Sequence, residues 1–353
     1  ADSRLTVKTL DDMGTMYRVV IEQSEYDDYA AVINPNRLLV LPENFREDPR
    51  WAHRCEATGL LGGSIPVRNW VWEHSINEGH KRHWILDDNI HNFYRLHNNR
   101  KTKMTTPTCF RTCEDFTDRY TDVKMSGMNY AFFCPAATRR PPYYHNTRVY
   151  SCILLSNDIY PEISWRGKFN EDTDLSLKVM KSGYHTLLFN NMLCGKVATL
   201  TMKGGNTKEI YNIDQAGTKH TRGGEDYDGR REFVESLQAQ HPDHVKITQK
   251  WGRWHHHIDY TVFQHIKPTK KPDLNIPKGS NNYGMRLVKL KHADILDEQE
   301  ELNVEFAELI GQRNMTPKTK SIWYPVLDKK AHSLDRYIDE DQMDEMDIDE
   351  VLD

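Results

Sequence analysis

The sequence predicts a mixed α/β protein in which short strands alternate with helices. Apolar segments of strand length occupy 17–22 and 38–42, and residues 25–31 between them favour a short helix. The preceding segment 3–13 also favours a helix, because Gly14 stands just past its end as a C-terminal cap. A chain that begins with a helix and then alternates strand and helix indicates a βαβ pattern whose first strand is absent from the chain.

The next elements continue this alternation. Residues 66–78 are predicted to form a helix, because Pro66 suits its first turn and Gly79 its C-terminal cap. A strand at 82–86 follows, and the polar, basic segment 91–100 is predicted to be a short helix and loop. Further predicted elements are a helix at 112–122, strands at 130–134 and 149–155, a helix at 172–182 and a strand at 184–189.

The rest of the chain changes in composition and divides into three predicted parts. A helix at 227–240 and strands at 245–250 and 254–263 complete one domain over 1–265. Residues 266–334 form a second part, with a Pro- and Lys-rich arm at 267–282 and a helix at 293–312. The acidic tail 335–353 is predicted to be disordered.

The charge is unevenly placed along the chain. The formal net charge is −5, but the tail carries ten acidic residues and one basic residue, so the remainder has 46 basic and 42 acidic residues. A weakly positive body is compatible with a polyanionic substrate without requiring one, since strong nucleic-acid binders are usually more basic.

The cysteine pattern and the hydropathy of the chain indicate the cellular compartment of the protein. Six cysteines lack paired C-x-x-C spacing, which favours core thiols in a reducing compartment over a disulfide framework or a zinc site. No apolar run approaches the roughly 20 residues that span a bilayer, and no signal peptide is visible. The sequence therefore predicts a cytoplasmic protein without a membrane partner.

Clustered oxygen ligands follow the strand at 82–86. Asp87, Asp88 and Asn89 stand at its end, where an α/β sheet presents ligands at the carboxyl edge of its strands. Mg²⁺ and Mn²⁺ prefer oxygen ligands and commonly take one or two carboxylates together with substrate phosphates. The cluster suits a metal that is shared with a diphosphate; read alone, it also fits an acidic turn.

A second acidic group opens the helix predicted at 172–182. Glu171 and Asp172 lie at its start, where the helix dipole favours carboxylates even without a catalytic role. On the same sheet edge as a metal-bound diphosphate, one of them would stay ionised and take a proton from an acceptor hydroxyl. Asp172 is the first candidate for this base and Glu171 the second.

Other candidate contacts are cationic, aromatic or imidazole side chains. Arg68 and Asn69 follow a GLLGG loop at a helix start, which suits an anion or nucleotide, although a surface arginine is an equal interpretation. His256 lies in a run of three histidines and is a candidate third metal ligand. Loops that mix basic, aromatic and amide side chains suit phosphate and base contacts, with the candidates Arg139, Arg140, Tyr143, Lys203 and Asn206.

Taken together, these motifs resemble a known family. A strand that ends in an aspartate cluster, followed about eighty residues later by an E-D-x-D helix start, is similar to a GT-A glycosyltransferase. The finer pattern comprises YRVVIE at 17–22, LVLP at 39–42, Arg68-Asn69, and HWILDDNI at 83–90 with Phe93. Over residues 1–263 it resembles the TET-associated glycosyltransferases, which occur in phages and are thought to glycosylate hydroxymethylated pyrimidines in DNA.

The resemblance implies a GT-A, Rossmann-like mixed sheet flanked by helices and a nucleotide-sugar donor, expected to be a UDP-sugar. It implies Mn²⁺ or Mg²⁺ bridging protein and diphosphate, with Asp87 at the ribose or metal and Asp88 and Asn89 at the metal. Relatives usually carry a third Asp where this chain has Asn89. Asp172 corresponds to the base of inverting enzymes, and the family's first strand, with its Gly-Arg pair, would precede residue 1.

Three other functions stay open at this point. A GT-A enzyme could act on a protein or a polysaccharide instead of single- or double-stranded DNA. An inactive member could serve as a binding module, which Asn89 would favour. A metal-dependent nuclease fits the aspartates but not the placement of the acidic helix start.

Overall fold

Mixed α/β structure is present in the computed structural model, which describes residues 4–97, 100–135, 140–197, 221–222, 225–226, 229–250, 253–274, 285–289 and 321–325. The strands are β1 Val19–Ile21, β2 Leu38–Val40, β3 Arg82–Leu86, β4 Ile90–His97, β5 Arg100–Lys103, β6 Val123–Tyr130, β7 Tyr143–His145, β8 Cys152–Ser156, β9 His185–Lys196, β10 Thr221–Arg222, β11 Glu225–Asp226, β12 Val245–Lys250, β13 Arg253–Ile258, β14 Met285–Lys289 and β15 Ser321–Pro325. The helices are α1 Leu5–Asp12, α2 Tyr26–Ala30, α3 Ser64–Asn77, α4 Thr108–Thr117, α5 Glu171–Lys181, α6 Gly229–Gln240 and α7 Thr261–Gln264.

A seven-stranded mixed sheet organises these elements. Its order is β3-β8-β6-β9-β4-β5, with β7 also paired to β9. Strand β8 is antiparallel to both β3 and β6, whereas β6 is parallel to β9. Strands β3, β6 and β9 therefore run in the same direction, and their carboxyl ends share one edge of the sheet. The flanked mixed sheet confirms the predicted GT-A-like fold class.

Helices bury both faces of this sheet. On one face, α1 and α4 pack over strand residues such as Phe93 and Met128. On the other, α3 and α5 cover Ile153 and Leu155, with Trp72 fully buried between helix and sheet. Adjacent positions on β9 divide between the two clusters, as the alternation of strand side chains requires. Both faces of the central strands are apolar because both are covered.

Three secondary-structure predictions are wrong. Within the predicted helix and loop at 91–100, residues 91–97 form most of β4 and Arg100 begins β5, because pairing with β9 outweighs the polar composition that suggested a helix. The strand predicted at 130–134 is not formed: β6 already ends at Tyr130, and Ala131–Phe133 form a 3₁₀ turn. The strand predicted at 254–263 stops at Ile258 and is followed by α7.

The other predicted helices and strands are present with shifted ends where the structure describes them. Gly14 and Gly79 adopt positive φ beyond α1 and α3, as predicted for helix C-terminal caps, and Gly183 does the same beyond α5. The strand predicted at 184–189 is longer and continues to Lys196. The helix at 293–312 and the acidic tail lie outside the described residues.

The start of the Pro- and Lys-rich segment is hydrogen-bonded to the chain between α4 and β6. The Thr121 amide donates to the Thr269 carbonyl at 2.9 Å, and the Lys271 amide donates to the Arg119 carbonyl at 2.8 Å. Residues 269–271 therefore lie against the junction of α4 and β6. Within the described residues, no helix combines the length and apolarity needed to cross a membrane.

Gly127 offers a test of how tightly the central strands pack. A Cβ at this position in β6 would collide with the Cys152 carbonyl oxygen and a methyl group of Val149. We expect Gly127→Ala to lower the free energy of unfolding by about 1–3 kcal/mol, because strand backbone and a β-branched side chain would have to move. Urea denaturation with an unchanged m-value would measure this loss.

Gly63→Ala is the matched control for this substitution. Gly63 has φ −61° and would bring its Cβ no closer than 3.4 Å to the end of the Arg46 side chain. Its unfolding free energy should stay within about 0.5 kcal/mol of the parent protein. Equal effects of the two substitutions would contradict the packing argument.

Candidate active site

One edge of the central sheet gathers the polar side chains of the candidate site. Asp87 follows β3, Tyr130 ends β6 and Lys196 ends β9, and these three strands run in the same direction. Ser151 immediately precedes β8, which runs the opposite way, so the beginning of β8 lies at the same edge. The topology thus brings together residues that are more than one hundred positions apart in the chain.

The Asp87 carboxylate is the centre of this cluster. Its Oδ1 lies 3.3 Å from Arg68 Nη2, and its Oδ2 accepts from Lys196 Nζ at 2.8 Å and from Ser151 Oγ at 2.7 Å. Burial acts to raise the pKa of Asp87, but the two cations outweigh it and hold that pKa below its usual value. Asp87 is therefore ionised and fully engaged by protein groups.

Lys196, Ser151 and Tyr130 were not predicted as site residues. Lys196 Nζ also donates to Ser151 Oγ at 2.8 Å and to the Tyr130 hydroxyl at 3.4 Å, and that hydroxyl is hydrogen-bonded to Ser151. Burial is the main cause that raises the pKa of Tyr130. Lys196 lies beyond the predicted end of its strand at residue 189, so only the full length of β9 reveals its position.

Arg68 joins this cluster to the acidic helix start. Its guanidinium lies 4.5 Å from the centre of the Trp165 ring and 3.7 Å from Glu171 Oε1. It thus stands between Asp87 and Glu171, with its plane over an aromatic face. The structure brings together the three sequence-predicted residues Arg68, Asp87 and Glu171.

Glu171 and Asp172 occupy the first turn of α5. Burial, reinforced by the nearby Asp172 and Asp87 charges and opposed by Arg68, raises the pKa of Glu171. Asp172 Oδ1 accepts from the Thr173 amide at 2.7 Å and from its hydroxyl at 3.2 Å. Asp172 Oδ2 lies 4.0 Å from Arg148 Nε. One Asp172 oxygen is therefore fixed by the helix start, and the other faces a cation.

Asp174, the third acid of this helix start, has a structural environment. It is fully buried, lies 3.1 Å from Arg166 Nε and accepts from His241 at 2.7 Å. Burial alone would raise the pKa of Asp174, but His241 and Arg166 hold it below the usual value. These bonds tie α5 to α6 and leave Asp174 enclosed.

Asn69 is also enclosed and contacts the protein's own backbone. Its amide nitrogen donates to the carbonyls of Trp51 and Trp165 at 2.8 and 2.9 Å, and its oxygen accepts from the Trp165 amide at 3.0 Å. The side chain is fully buried, so we assign it a structural role instead of the predicted donor contact. It holds the loop that carries Trp165 against α3 and so supports the ring beneath Arg68.

The loop 87–90 is anchored by the first helix. The Thr6 amide donates to the Asp88 carbonyl at 3.1 Å, and the Ile90 amide donates to Thr6 Oγ1 at 2.9 Å. The Thr6 hydroxyl in turn donates to the Asp87 carbonyl. Helix α1 therefore fixes the backbone from which Asp87, Asp88 and Asn89 project.

The predicted four-residue metal set is not assembled. Within the described ranges, no group of three or more His, Cys, Asp or Glu side chains is arranged to hold a metal ion. Asp87 is engaged by Arg68 and Lys196. His256 lies near Arg148 and Asp172, and burial and Arg148 lower its pKa to about 4.

Two oxygen donors of that set do fit a metal that is shared with a ligand. The Asp88 side chain is exposed, and Asn89 Oδ1 is buried without a hydrogen-bond partner among the described residues. One carboxylate and one carbonyl oxygen suit Mg²⁺ or Mn²⁺, which take their remaining ligands from phosphates and water. Among the four predicted ligands, Asp88 and Asn89 thus offer these donor atoms, while Asp87 is already paired with Arg68 and Lys196.

The predicted acceptor contacts divide into three groups. Arg140 Nη1 donates to the Tyr144 hydroxyl at 3.3 Å, and the residue is half-buried. Tyr143 packs its ring 4.8 Å from that of Phe116, and its hydroxyl lies 3.2 Å from the Tyr120 hydroxyl, so it belongs largely to the core. The remaining three, Arg139, Lys203 and Asn206, lie outside the described residues.

The raised pKa of Glu171 predicts a pH-dependent cost in stability. Between the ordinary carboxyl value of about 4.3 and the raised folded value, the folded protein binds more protons than the unfolded chain, so stability falls as pH rises. Glu171→Gln removes this proton linkage. We expect its unfolding free energy, relative to the parent protein, to increase as pH rises above about 4.3 and to level off once pH has passed the raised pKa of Glu171.

Urea denaturation over this pH range provides the measurement. Glu235→Gln, on α6 and paired with Arg231, controls for the loss of one carboxylate from an exposed surface. A Glu171→Gln difference that does not change with pH would contradict the raised pKa.

The comparisons with known proteins place this site in a family. None of the curated proteins and none of the solved structures compared with the chain matches it. The family model described as TET-Associated Glycosyltransferase matches residues 1–205, which include Arg68, the loop 87–90, the acidic start of α5 and Lys196. More than half of the sequence is covered by this match. The chain belongs to the TET-associated glycosyltransferase family and is accordingly a glycosyltransferase.

Proposed function

We propose that the protein transfers a sugar from a UDP-sugar to a hydroxymethylated pyrimidine in DNA. The observation that carries this proposal is the position of Arg68, which contacts both Asp87 at the strand end and Glu171 at the helix start. The Arg68 guanidinium in this position suits contact with the diphosphate of the donor. The sugar attached to that diphosphate would then lie beside the two acidic side chains. The family membership supports glycosyl transfer, and the weakly positive body is compatible with DNA.

Charge balance supports a further cation at the donor. Arg68, Lys196 and Arg148 are matched in number by Asp87, Glu171 and Asp172, so these six groups leave little positive charge for a diphosphate. Asp88 and Asn89 would hold Mn²⁺ or Mg²⁺ beside this cluster. When bound, such an ion neutralises charge that develops on the leaving diphosphate.

We assign the base to Asp172, with Glu171 second. In the proposed step the acceptor hydroxyl oxygen bonds to the anomeric carbon, and the bond from that carbon to the diphosphate oxygen breaks. The hydroxyl proton moves to Asp172 Oδ2, while Oδ1 is held by Thr173. Arg148 Nε lies 4.0 Å from this oxygen and offsets the negative charge of the carboxylate at the helix start. Attack opposite to the leaving group inverts the anomeric configuration.

A DNA acceptor sets a geometric requirement. A hydroxymethyl group within a duplex lies among stacked bases, so the nucleotide must be extruded or the strand opened before it reaches Asp172. A protein or polysaccharide acceptor needs no such step.

The six cysteines are free and buried, which fits the reducing cytoplasm that we propose as the location, within a host cell if the gene is carried by a phage.

Mass spectrometry tests the proposed transfer. Oligonucleotides with hydroxymethylcytosine, incubated with a panel of UDP-sugars and Mn²⁺, should gain one sugar mass with the parent protein. Asp172→Asn should lower the transfer rate by about 10²- to 10⁴-fold, the usual contribution of a general base, while UDP affinity in calorimetry changes little.

Asp115→Asn, on the far face of the sheet, is the matched control and should keep the parent rate. Full transfer by Asp172→Asn would reject the base assignment. Transfer to a peptide or glycan, and none to the modified DNA, would favour the alternative acceptors. Absence of UDP binding would favour an inactive binding module.

The metal assignment makes a separate prediction. Asp88→Ala should weaken Mn²⁺ binding in the presence of UDP by about tenfold or more, because it removes the exposed carboxylate of a two-donor site. Calorimetric titration of Mn²⁺ into the protein with UDP gives the affinity. Asp115→Ala is the control, and an unchanged Mn²⁺ affinity in Asp88→Ala would place the ion elsewhere.

A further inference from the structure

Two phenylalanines stand exposed beside the candidate active site. Phe132 and Phe133 lie in the 3₁₀ turn that follows β6, and 55% and 45% of their surfaces are exposed. Among the described residues, the other exposed large hydrophobic side chains are aliphatic, so these two are the only aromatic members. Apolar side chains held together in water at a functional edge are a common sign of a binding surface.

The two exposed rings belong to a continuous aromatic cluster. Phe132 stacks on Tyr130 with ring centres 5.1 Å apart and planes 27° apart, and Phe133 lies 4.4 Å from Phe132. Beneath them, the rings of Tyr130 and Tyr150 are 4.3 Å apart. The cluster of Tyr130, Phe132, Phe133 and Tyr150, hereafter the aromatic platform, therefore extends from solvent into the site.

The platform meets both functional groups of the site. The Tyr130 hydroxyl is bonded to Ser151 and lies 3.4 Å from Lys196, at the Asp87 cluster. The Arg148 guanidinium lies 4.7 Å from the centre of the Tyr150 ring and faces Asp172. A series of contacts thus links the outer rings, through Tyr130, Tyr150 and Arg148, to the proposed base.

Two cationic side chains act on the residue that follows Phe133. Burial raises the pKa of the Cys134 thiol to about 11, and the charges of Arg140 and Lys101 oppose this rise. Lys101 is exposed on β5. Aromatic faces flanked by cations match the combination of stacking and phosphate contact by which proteins hold unpaired nucleotides.

We propose that Phe132 and Phe133 stack against the pyrimidine that carries the acceptor hydroxyl, with Arg140 and Lys101 near its flanking phosphates. This inference rests on the proposed function and names the part of the surface that receives the acceptor. The Tyr130 hydroxyl also touches the Asp87 cluster, but we choose the acceptor over the uracil of the donor because Tyr150 leads through Arg148 to the proposed base, Asp172. An extruded base needs a replacement for the stacking that it loses in the duplex.

Acceptor kinetics provide the test. In Phe132→Ala/Phe133→Ala, we expect the KM for a single-stranded hydroxymethylcytosine oligonucleotide to rise by about 5- to 100-fold, with UDP affinity unchanged in calorimetry. Phe132→Tyr/Phe133→Tyr keeps both aromatic faces and should restore a KM close to that of the parent. Val262→Ala/Ile266→Ala, which shortens two other exposed apolar side chains, is the matched control and should leave the KM unchanged.

Fluorescence anisotropy of the labelled oligonucleotide separates this inference from the proposed function. If the parent protein transfers a sugar and the alanine variant has the parent's KM and oligonucleotide affinity, the platform is wrong and the function stands. If the parent transfers no sugar but binds the oligonucleotide in a manner that needs the two phenylalanines, the platform stands and the function fails. Loss of UDP affinity in the alanine variant, or no oligonucleotide binding by the parent, would overturn the platform as the acceptor site.

Discussion

The site depends on one interaction, the pairing of the Asp87 carboxylate with both Arg68 and Lys196. The carboxylate and both cations are largely withdrawn from water, with side-chain exposures of 24%, 16% and 16%. Removing one member of such a group leaves its partner charged and desolvated, at a cost of about 3–5 kcal/mol. The group therefore joins α3, the end of β3 and the end of β9 at one edge of the sheet.

This arrangement also explains why neighbouring acids in the chain have different properties. Asp87 is held ionised by two cations, Asp174 is enclosed by Arg166 and His241, and Glu171 is made less acidic by burial and like charges. Asp172 retains one oxygen directed toward Arg148. Acidic residues that look alike in a sequence motif thus differ in burial, charge and bonding according to their partners.

Short-range patterns made part of the site predictable. The strand that ends in Asp87, the helix start at Glu171 and the helix that carries Arg68 all have local signals, and the structure brings them together. Lys196 and Ser151 could not be predicted, because their contacts with Asp87 arise from strand order and direction. Strand β4 was predicted to be a helix because its polar residues hide a pairing that only β9 explains. The enclosed amide of Asn69 has no sequence signal that separates it from a ligand contact.

The anchoring of the loop 87–90 by Thr6 has a consequence for how the site gains its order. Helix α1 has eight residues, too few for stability on its own, so it persists by docking on the sheet. Local opening of α1 would break the bonds to the backbone of Asp87, Asp88 and Ile90 without disturbing the pairing of the central strands. The positions of the Asp88 and Asn89 side chains thus depend on how firmly α1 docks on the sheet through buried residues such as Leu10. Substitutions in α1 would therefore act on the order of this loop from a distance.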